Sequence, residues 1–179
     1  MKHIFLTFLI LSTIHAQEII NGHTLPPEPN SALNNSTLLG IDVNNNGVRD
    51  DVERWIYETY KDKHPIHIDI AMQAARGFKL ILEHPENAKV IYHQATAYLD
   101  CQSYYKTYAK YYDEPILITE DMSMEFFRRK IYFNTKDRRE VYDKYDRLLS
   151  GDSYSLPKIE NLKGLCDFNT SKYDTHAKK

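Results

Sequence analysis

From Asp50 onward, apolar positions recur at helical spacing. Val52, Trp55, Ile56 and Tyr60 share one face of a helix predicted over 50–60. Asp50, Asp51 and Glu53 crowd its N-terminus, where negative charge suits the dipole. A second helix is predicted to start near Pro65, since proline is tolerated at the first helical position. Ile70, Ala71, Ala74, Phe78, Ile81 and Leu82 hold its face; the alternation Ile66, Ile68, Ile70 imitates a strand only briefly. Pro85 opens a long third helix over 85–112, carrying Ile91, Ala95, Tyr98, Tyr105 and Tyr112, with Pro115 beyond its end. A fourth is predicted over 120–132, capped by Thr119 and ending in Arg128, Arg129 and Lys130. A fifth follows Asn134 or Thr135, with Val141, Tyr145, Leu148 and Leu149 on one face and Gly151 as its stop. The tail after Leu156 reads as irregular. The expected fold is all-α, a compact bundle of about five helices.

The pattern upstream is different. Lys2 precedes an apolar run, Ile4 to Ile14, that has the length of a secretion signal and is too short to cross a bilayer. With Ile14-His15-Ala16 as the cleavage site, residues 1–16 read as a signal peptide. No later stretch reaches spanning length, so no membrane span is expected after cleavage. Residues 17–40 contain Pro26, Pro27, Pro29 and a cluster of Asn, Ser and Thr, and read as a flexible, disordered linker. The helical domain then occupies 41–179.

Between linker and first helix lies the run Asp42-Val-Asn44-Asn-Asn46-Gly47-Val48-Arg49-Asp50-Asp-Val-Glu53. It satisfies the EF-hand loop pattern D-x-N-x-N-G-x-x-D-x-x-E. A calcium ion takes six to eight hard oxygen ligands on a backbone that curls around it. Asp42, Asn44 and Asn46 offer side-chain oxygens at loop positions 1, 3 and 5, and Gly47 permits the sharp turn at position 6. Val48 offers its carbonyl, Asp50 sits at position 9, and Glu53 closes the site at position 12. Calcium is therefore the expected ion, held by Asp42, Asn44, Asn46, Val48, Asp50 and Glu53. The loop departs from a full EF-hand. No helix is predicted before it, no second loop follows, and Arg49 stands at position 8, where paired loops carry an aliphatic residue. With two Asn in place of Asp, affinity is expected on the order of 10⁻⁴ to 10⁻³ M, the extracellular range.

The stretch from Gly40 to Ile56 resembles a segment of uncharacterised exported proteins of Gram-negative bacteria that carry a lone EF-hand-like or dockerin-like calcium loop. The resemblance covers roughly a tenth of the chain. It implies calcium binding and export, and nothing about a substrate.

Charge and cysteine content agree with export. Removal of residues 1–16 takes away Lys2 and no acid, so a net charge of −2 becomes −3. That weak acidity argues against a nucleic-acid surface. Cys101 and Cys166 are the only cysteines, and an even count in an exported chain predicts a disulfide between them. The expected location is periplasmic or secreted.

Other constellations are weaker. Tyr92, Tyr98, Tyr104, Tyr105, Tyr108, Tyr111 and Tyr112 crowd the third helix, more than one face can bury, and offer an aromatic surface for a protein or glycan partner. The basic group Arg128, Arg129, Lys130, Lys136, Arg138 and Arg139 interleaves with Asp137, Glu140, Asp143 and Asp146 and reads as a solvated, salt-bridged surface. His64 and His67, with Asp69 near, lack the ligand count of a zinc site. No nucleophile elbow, phosphate loop or dinucleotide fingerprint is present. The expected function is that of an exported calcium-binding protein that uses the lone loop structurally, a non-catalytic binding or envelope-associated protein. The competing class is a secreted hydrolase with carboxylates or a His-bound metal in an inter-helix cleft.

Overall fold

The computed structural model of the chain describes residues 18–174; the expected signal peptide at 1–16 lies outside them. The fold is mainly α. Among the described residues the only sheet is a hairpin of two-residue strands, β1 (Ile19–Ile20) antiparallel to β2 (His23–Thr24). A short helix α1 (Ser31–Asn34) follows, started by Asn30, whose side chain accepts from Leu33 N. The larger helices are α2 (Asp50–Tyr60), α3 (Ile66–Glu83), α4 (Ala88–Ser103) and α6 (Lys136–Leu149), with the single turn α5 (Met124–Phe126) between the last two.

α2, α3 and α6 lie where the periodicity predicts them. Val52, Ile56 and Tyr60 are buried on α2, and Ile66, Ile68 and Ile70 are all buried at the start of α3. Thr135 caps α6 by accepting from Arg138 N, and Gly151 follows with φ of +86°. The closest packing in the core is α3 against α4. Gly77 makes it feasible, since a Cβ there would lie 2.5 Å from the Ala95 carbonyl oxygen.

The third predicted helix is helical throughout 85–112 but changes its winding. A 3₁₀ turn over 85–87 leads into α4, which widens into a π-turn at Tyr104–Tyr108 and tightens to 3₁₀ over 109–112. The Tyr105 carbonyl leaves the helical ladder and accepts from Leu117 N and Ile118 N, which brings that segment onto the helix. Of the tyrosines here, Tyr98, Tyr104 and Tyr105 are buried, whereas Tyr111 (70 % exposed) and Tyr112 face solvent.

The fourth predicted helix requires correction. It starts at Met124, not at Glu120, and Thr119 does not cap it. The preceding chain is not helical and buries Ile118 and Met122, and Tyr60 Oη donates to the Met122 carbonyl at 2.7 Å. After one turn, residues 127–132 wind as a π-helix. This places Phe127, Tyr132 and Phe133 around the Phe78 ring, at 5.9, 5.2 and 5.5 Å between centroids.

The flexible linker expected at 17–40 is also corrected, because residues 18–40 are packed on the body. Leu25 and Asn34 are buried, and Arg54 of α2 donates to Glu18 and to the Pro26 carbonyl. The firmest tie is Arg138, which is 0 % exposed. Its five N–H groups go to the carbonyls of Asn34, Thr37 and Leu38 and to the side chains of Asn35 and Asn134. The Pro/Asn-rich composition offers little apolar area, yet polar anchoring holds the segment instead.

Cys101 and Cys166 form the expected disulfide, with Cα atoms 5.1 Å apart. In the chain-entropy view, closing a loop of this length stabilises by about 4 kcal/mol. It fixes the irregular C-terminal tail across α3 and α4. There Gln73 donates to the Leu165 carbonyl, Arg76 forks onto Asp167, and Tyr173 Oη donates to Asp69.

Two measurements check this packing. Gly77→Ala is expected to destabilise by roughly 1–3 kcal/mol through overpacking, despite a helix-propensity gain of about 1 kcal/mol, read as a lower denaturant midpoint. The second concerns alkali. Burial away from water pushes the phenols of Tyr60, Tyr98, Tyr104 and Tyr105 up to about 12. Unfolded tyrosine ionises near 10, so above that pH the unfolded chain binds fewer protons than the folded one. The stabilisation is complete below about pH 10 and is lost as pH rises toward 12. The part of the tyrosinate absorbance that comes from these four phenols should therefore rise only together with loss of helical circular dichroism; ionisation of every tyrosine near pH 10 in an intact helical protein would contradict it.

Candidate metal centre

The loop 42–53 is shaped by its own side chains. Gly47 adopts φ of +84°, a conformation that a Cβ would strain. The Asp42 carboxylate accepts from Asn46 N at 3.2 Å and Gly47 N at 3.0 Å. Asn44 Oδ1 accepts from Asn46 N, and Asn46 Oδ1 from Val48 N at 2.8 Å. Short polar side chains that bond the backbone two to five residues on are what Asn and Asp supply in turns. At the base of the loop, Asp50 N donates to the Ile41 carbonyl and Asp50 Oδ1 accepts from Val43 N. Val48 anchors the loop by burying its side chain in the core.

Asp42, Asp51 and Glu53 lie close enough to Asp50 for their charges to act on it. Glu53 is 0 % exposed, although it is a carboxylate. Asn44 Nδ2 and Asn46 Nδ2 donate to its Oε2 at 3.1 and 2.7 Å, and His23 Nε2 meets its Oε1 at 2.6 Å. Lys79 Nζ stands 3.9 Å from Asp42. Asp50 is the anomaly. Its Oδ2 is buried and has no hydrogen-bond partner. Burial raises its pKa to about 6, against the opposing Val43 N–H and with the charges of Asp42, Glu53 and Asp51 adding to the rise. A buried polar atom without a partner costs roughly 1–3 kcal/mol, more when charged.

The donor chemistry of this cluster fits a hard cation. Carboxylate oxygens, amide oxygens and a main-chain carbonyl are calcium ligands, and an orphaned carboxylate oxygen is a position that a cation satisfies. Acids alone do not make the site: among the described residues, no three His, Cys, Asp or Glu side chains form a metal-holding group. A cation here would also need the amide oxygens of Asn44 and Asn46 and the Val48 carbonyl.

The sequence missed three residues that matter here. His23 reaches Glu53 from the hairpin and stacks on Tyr57 at 4.2 Å, and nothing local marks a contact across thirty positions. Lys79 approaches from α3. Arg49, at the loop position that pairs two EF-hands, is buried and donates instead to the Ile131 and Tyr132 carbonyls while pairing with Asp51. By contrast His64 and His67 are not brought together as ligands. His67 Nδ1 bonds the His64 carbonyl, and Asp69 is engaged by Tyr173 and Lys172.

No family model, curated protein or solved structure matches the chain.

In the presence of a chelator, Asp50→Asn is expected to stabilise the protein. It removes a buried charge that has one unpartnered oxygen and three acidic neighbours. A gain of about 1 kcal/mol corresponds to roughly 2–4 °C in melting temperature; a clear fall would show that the Asp50 charge is well satisfied in solution.

Proposed function

We propose that this chain is an exported protein that binds calcium in the 42–53 loop and uses the ion structurally. The carrying observation is the buried, unpartnered Asp50 Oδ2 beside the charges of Asp42 and Glu53, in a loop of calcium-type spacing; the Asn44 and Asn46 amides would turn their Nδ2 groups away from Glu53 to admit the ion. Asp42, Asn44, Asn46, Asp50 and Glu53 would hold the ion through side-chain oxygens, with the Val48 carbonyl. Bound calcium supplies the positive charge that three neighbouring carboxylates lack. The protein's own contribution is to hold the loop between the N-terminal segment and α2, through Arg49, Val48 and the Ile41–Asp50 bond.

Export is supported by the apolar run at 4–14 and by the Cys101–Cys166 disulfide, since such bonds persist in oxidising compartments. Among the described residues no helix is long and apolar enough to cross a membrane. In a periplasmic or extracellular setting, calcium is abundant enough to fill a weak site. The reading is of a non-catalytic binding or envelope-associated protein. Two half-open cavities among the described residues, one beside the start of α6 and one beside Gly77, each have a single carboxylate in their lining, an arrangement that does not supply a carboxylate pair. A partner surface on the tyrosine-rich segment would centre on Tyr111 and Tyr112, with Tyr92 and Tyr108 half-exposed beside the buried Tyr98, Tyr104 and Tyr105.

Thermal unfolding of the oxidised protein tests the proposal. At a hundredfold excess of calcium over Kd, linkage stabilises by about 2.7 kcal/mol, or roughly 5–10 °C for a chain of this size. Magnesium at the same concentration should give much less. Asp42→Ala with Glu53→Gln should abolish the rise, and Asp50→Asn should reduce it. An unchanged melting temperature in calcium, or an equal rise in the double variant, would sink the reading.

A further inference from the structure

Among the basic residues around α6, Arg129, Lys130, Lys136 and Arg139 are exposed, as their interleaved acids suggest, and Lys136 pairs with Glu140 at 3.5 Å. Arg138 is buried, and a cavity of about 420 Å³ lies between the π-wound segment 127–132 and the start of α6. Arg128, Arg129, Lys130 and Arg139 line it, with Asp143 as the only acid and Tyr142 as an aromatic wall. We propose that this cavity binds a small soluble polyanion carrying two or more oxyanion groups, as in a bisphosphate or a polycarboxylate.

Charge balance is the first argument. Four cations face one carboxylate in the lining. Among the described residues, the only carboxylate salt-bridged to any of these cations is Glu125, 3.5 Å from Arg129, and both side chains are largely exposed. Such a pair contributes little and is screened by salt. Lys130 forms no ion pair among the described residues. The lining thus keeps a surplus of positive charge in a concavity, where low-dielectric walls concentrate the field.

Preorganisation is the second argument. Two guanidinium groups are positioned by neutral partners, which hold them in place without cancelling their charge. Arg128 lies over the Tyr142 ring at 5.0 Å and donates to Tyr142 Oη at 2.8 Å. Its Nε is buried without a partner. Arg139 donates to the Asn134 carbonyl at 3.0 Å. A guanidinium offers five N–H groups in a fixed fork suited to phosphate and carboxylate, so donors on each remain for a ligand. The volume lies in the range of small-molecule sites. A single inorganic ion would leave most of it unfilled, and the charge surplus calls for more than one anionic group. This inference is independent of the calcium loop.

Titration of the oxidised protein with inorganic pyrophosphate, and separately with citrate, followed by amide chemical shifts at low ionic strength, tests it. The expected result is saturable binding of at least one of the two, with shifts centred on residues 128–143; the tighter binder tells whether phosphate or carboxylate is preferred. Lys130→Gln should weaken binding roughly tenfold, the scale of one charge-assisted hydrogen bond. Asp143→Asn should tighten it several-fold. Lys130 and Asp143 are exposed, and a gain of affinity cannot arise from misfolding. Non-saturable shifts spread over the whole surface, or affinities that neither substitution changes, would overturn the proposal.

Discussion

The N-terminal half of the structure depends on one buried charge satisfied by neutral groups. Arg138 is sealed from solvent, and burial together with the nearby charge of Arg49 draws its pKa down to about 10. Among the described residues no carboxylate pairs with it; carbonyls and amides take all of its N–H groups. Its bonds continue into the candidate loop. Asn34 gives its carbonyl to Arg138 and its side-chain oxygen to Ile41 N, and the Ile41 carbonyl accepts from Asp50 N. A guanidinium on α6 therefore fixes the base of a loop nearly a hundred residues earlier. Breaking one member of such a network leaves several buried dipoles unpaired, which costs more than any single bond contributes.

The segment 127–133 is the other shared support. Arg49 holds it from the loop side through the Ile131 and Tyr132 carbonyls, and Trp55 of α2 stacks on Phe127. Arg128, Arg129, Lys130 and Phe133 from the same stretch line the basic cavity. The loop and the cavity thus share one short piece of backbone as their support. In a paired EF-hand, position 8 joins two loops. Here a buried arginine gives a solitary loop a rigid neighbour of a different kind.

How much of this was legible follows from the range of each interaction. α2, α3 and α6 were readable because their apolar residues recur at helical spacing and their ends carry ordinary signals, such as Thr135 and Gly151. The positions of the candidate ligands were readable because the loop motif is local. The aromatic cluster on Phe78 was not, since Phe127, Tyr132 and Phe133 are separated by five and six residues and become neighbours only through π-winding. The ordered N-terminal segment was misread for a related reason. Composition reports apolar area, but this segment is held by guanidinium groups of Arg54 and Arg138 that lie far away in sequence. His23 was invisible on the same grounds.

The disulfide has a chemical direction. Cys101 is wholly buried on α4, whereas Cys166 lies only partly covered in the irregular tail. Thiol–disulfide exchange proceeds by attack of a thiolate on one sulfur and departure of the other. Cys166 is the less covered of the two, so an external thiolate would form the first mixed disulfide there, with Cys101 as the leaving thiol. That thiol is released inside the core, still held beside the bond it has lost. It is well placed to attack Cys166 in return and expel the reductant.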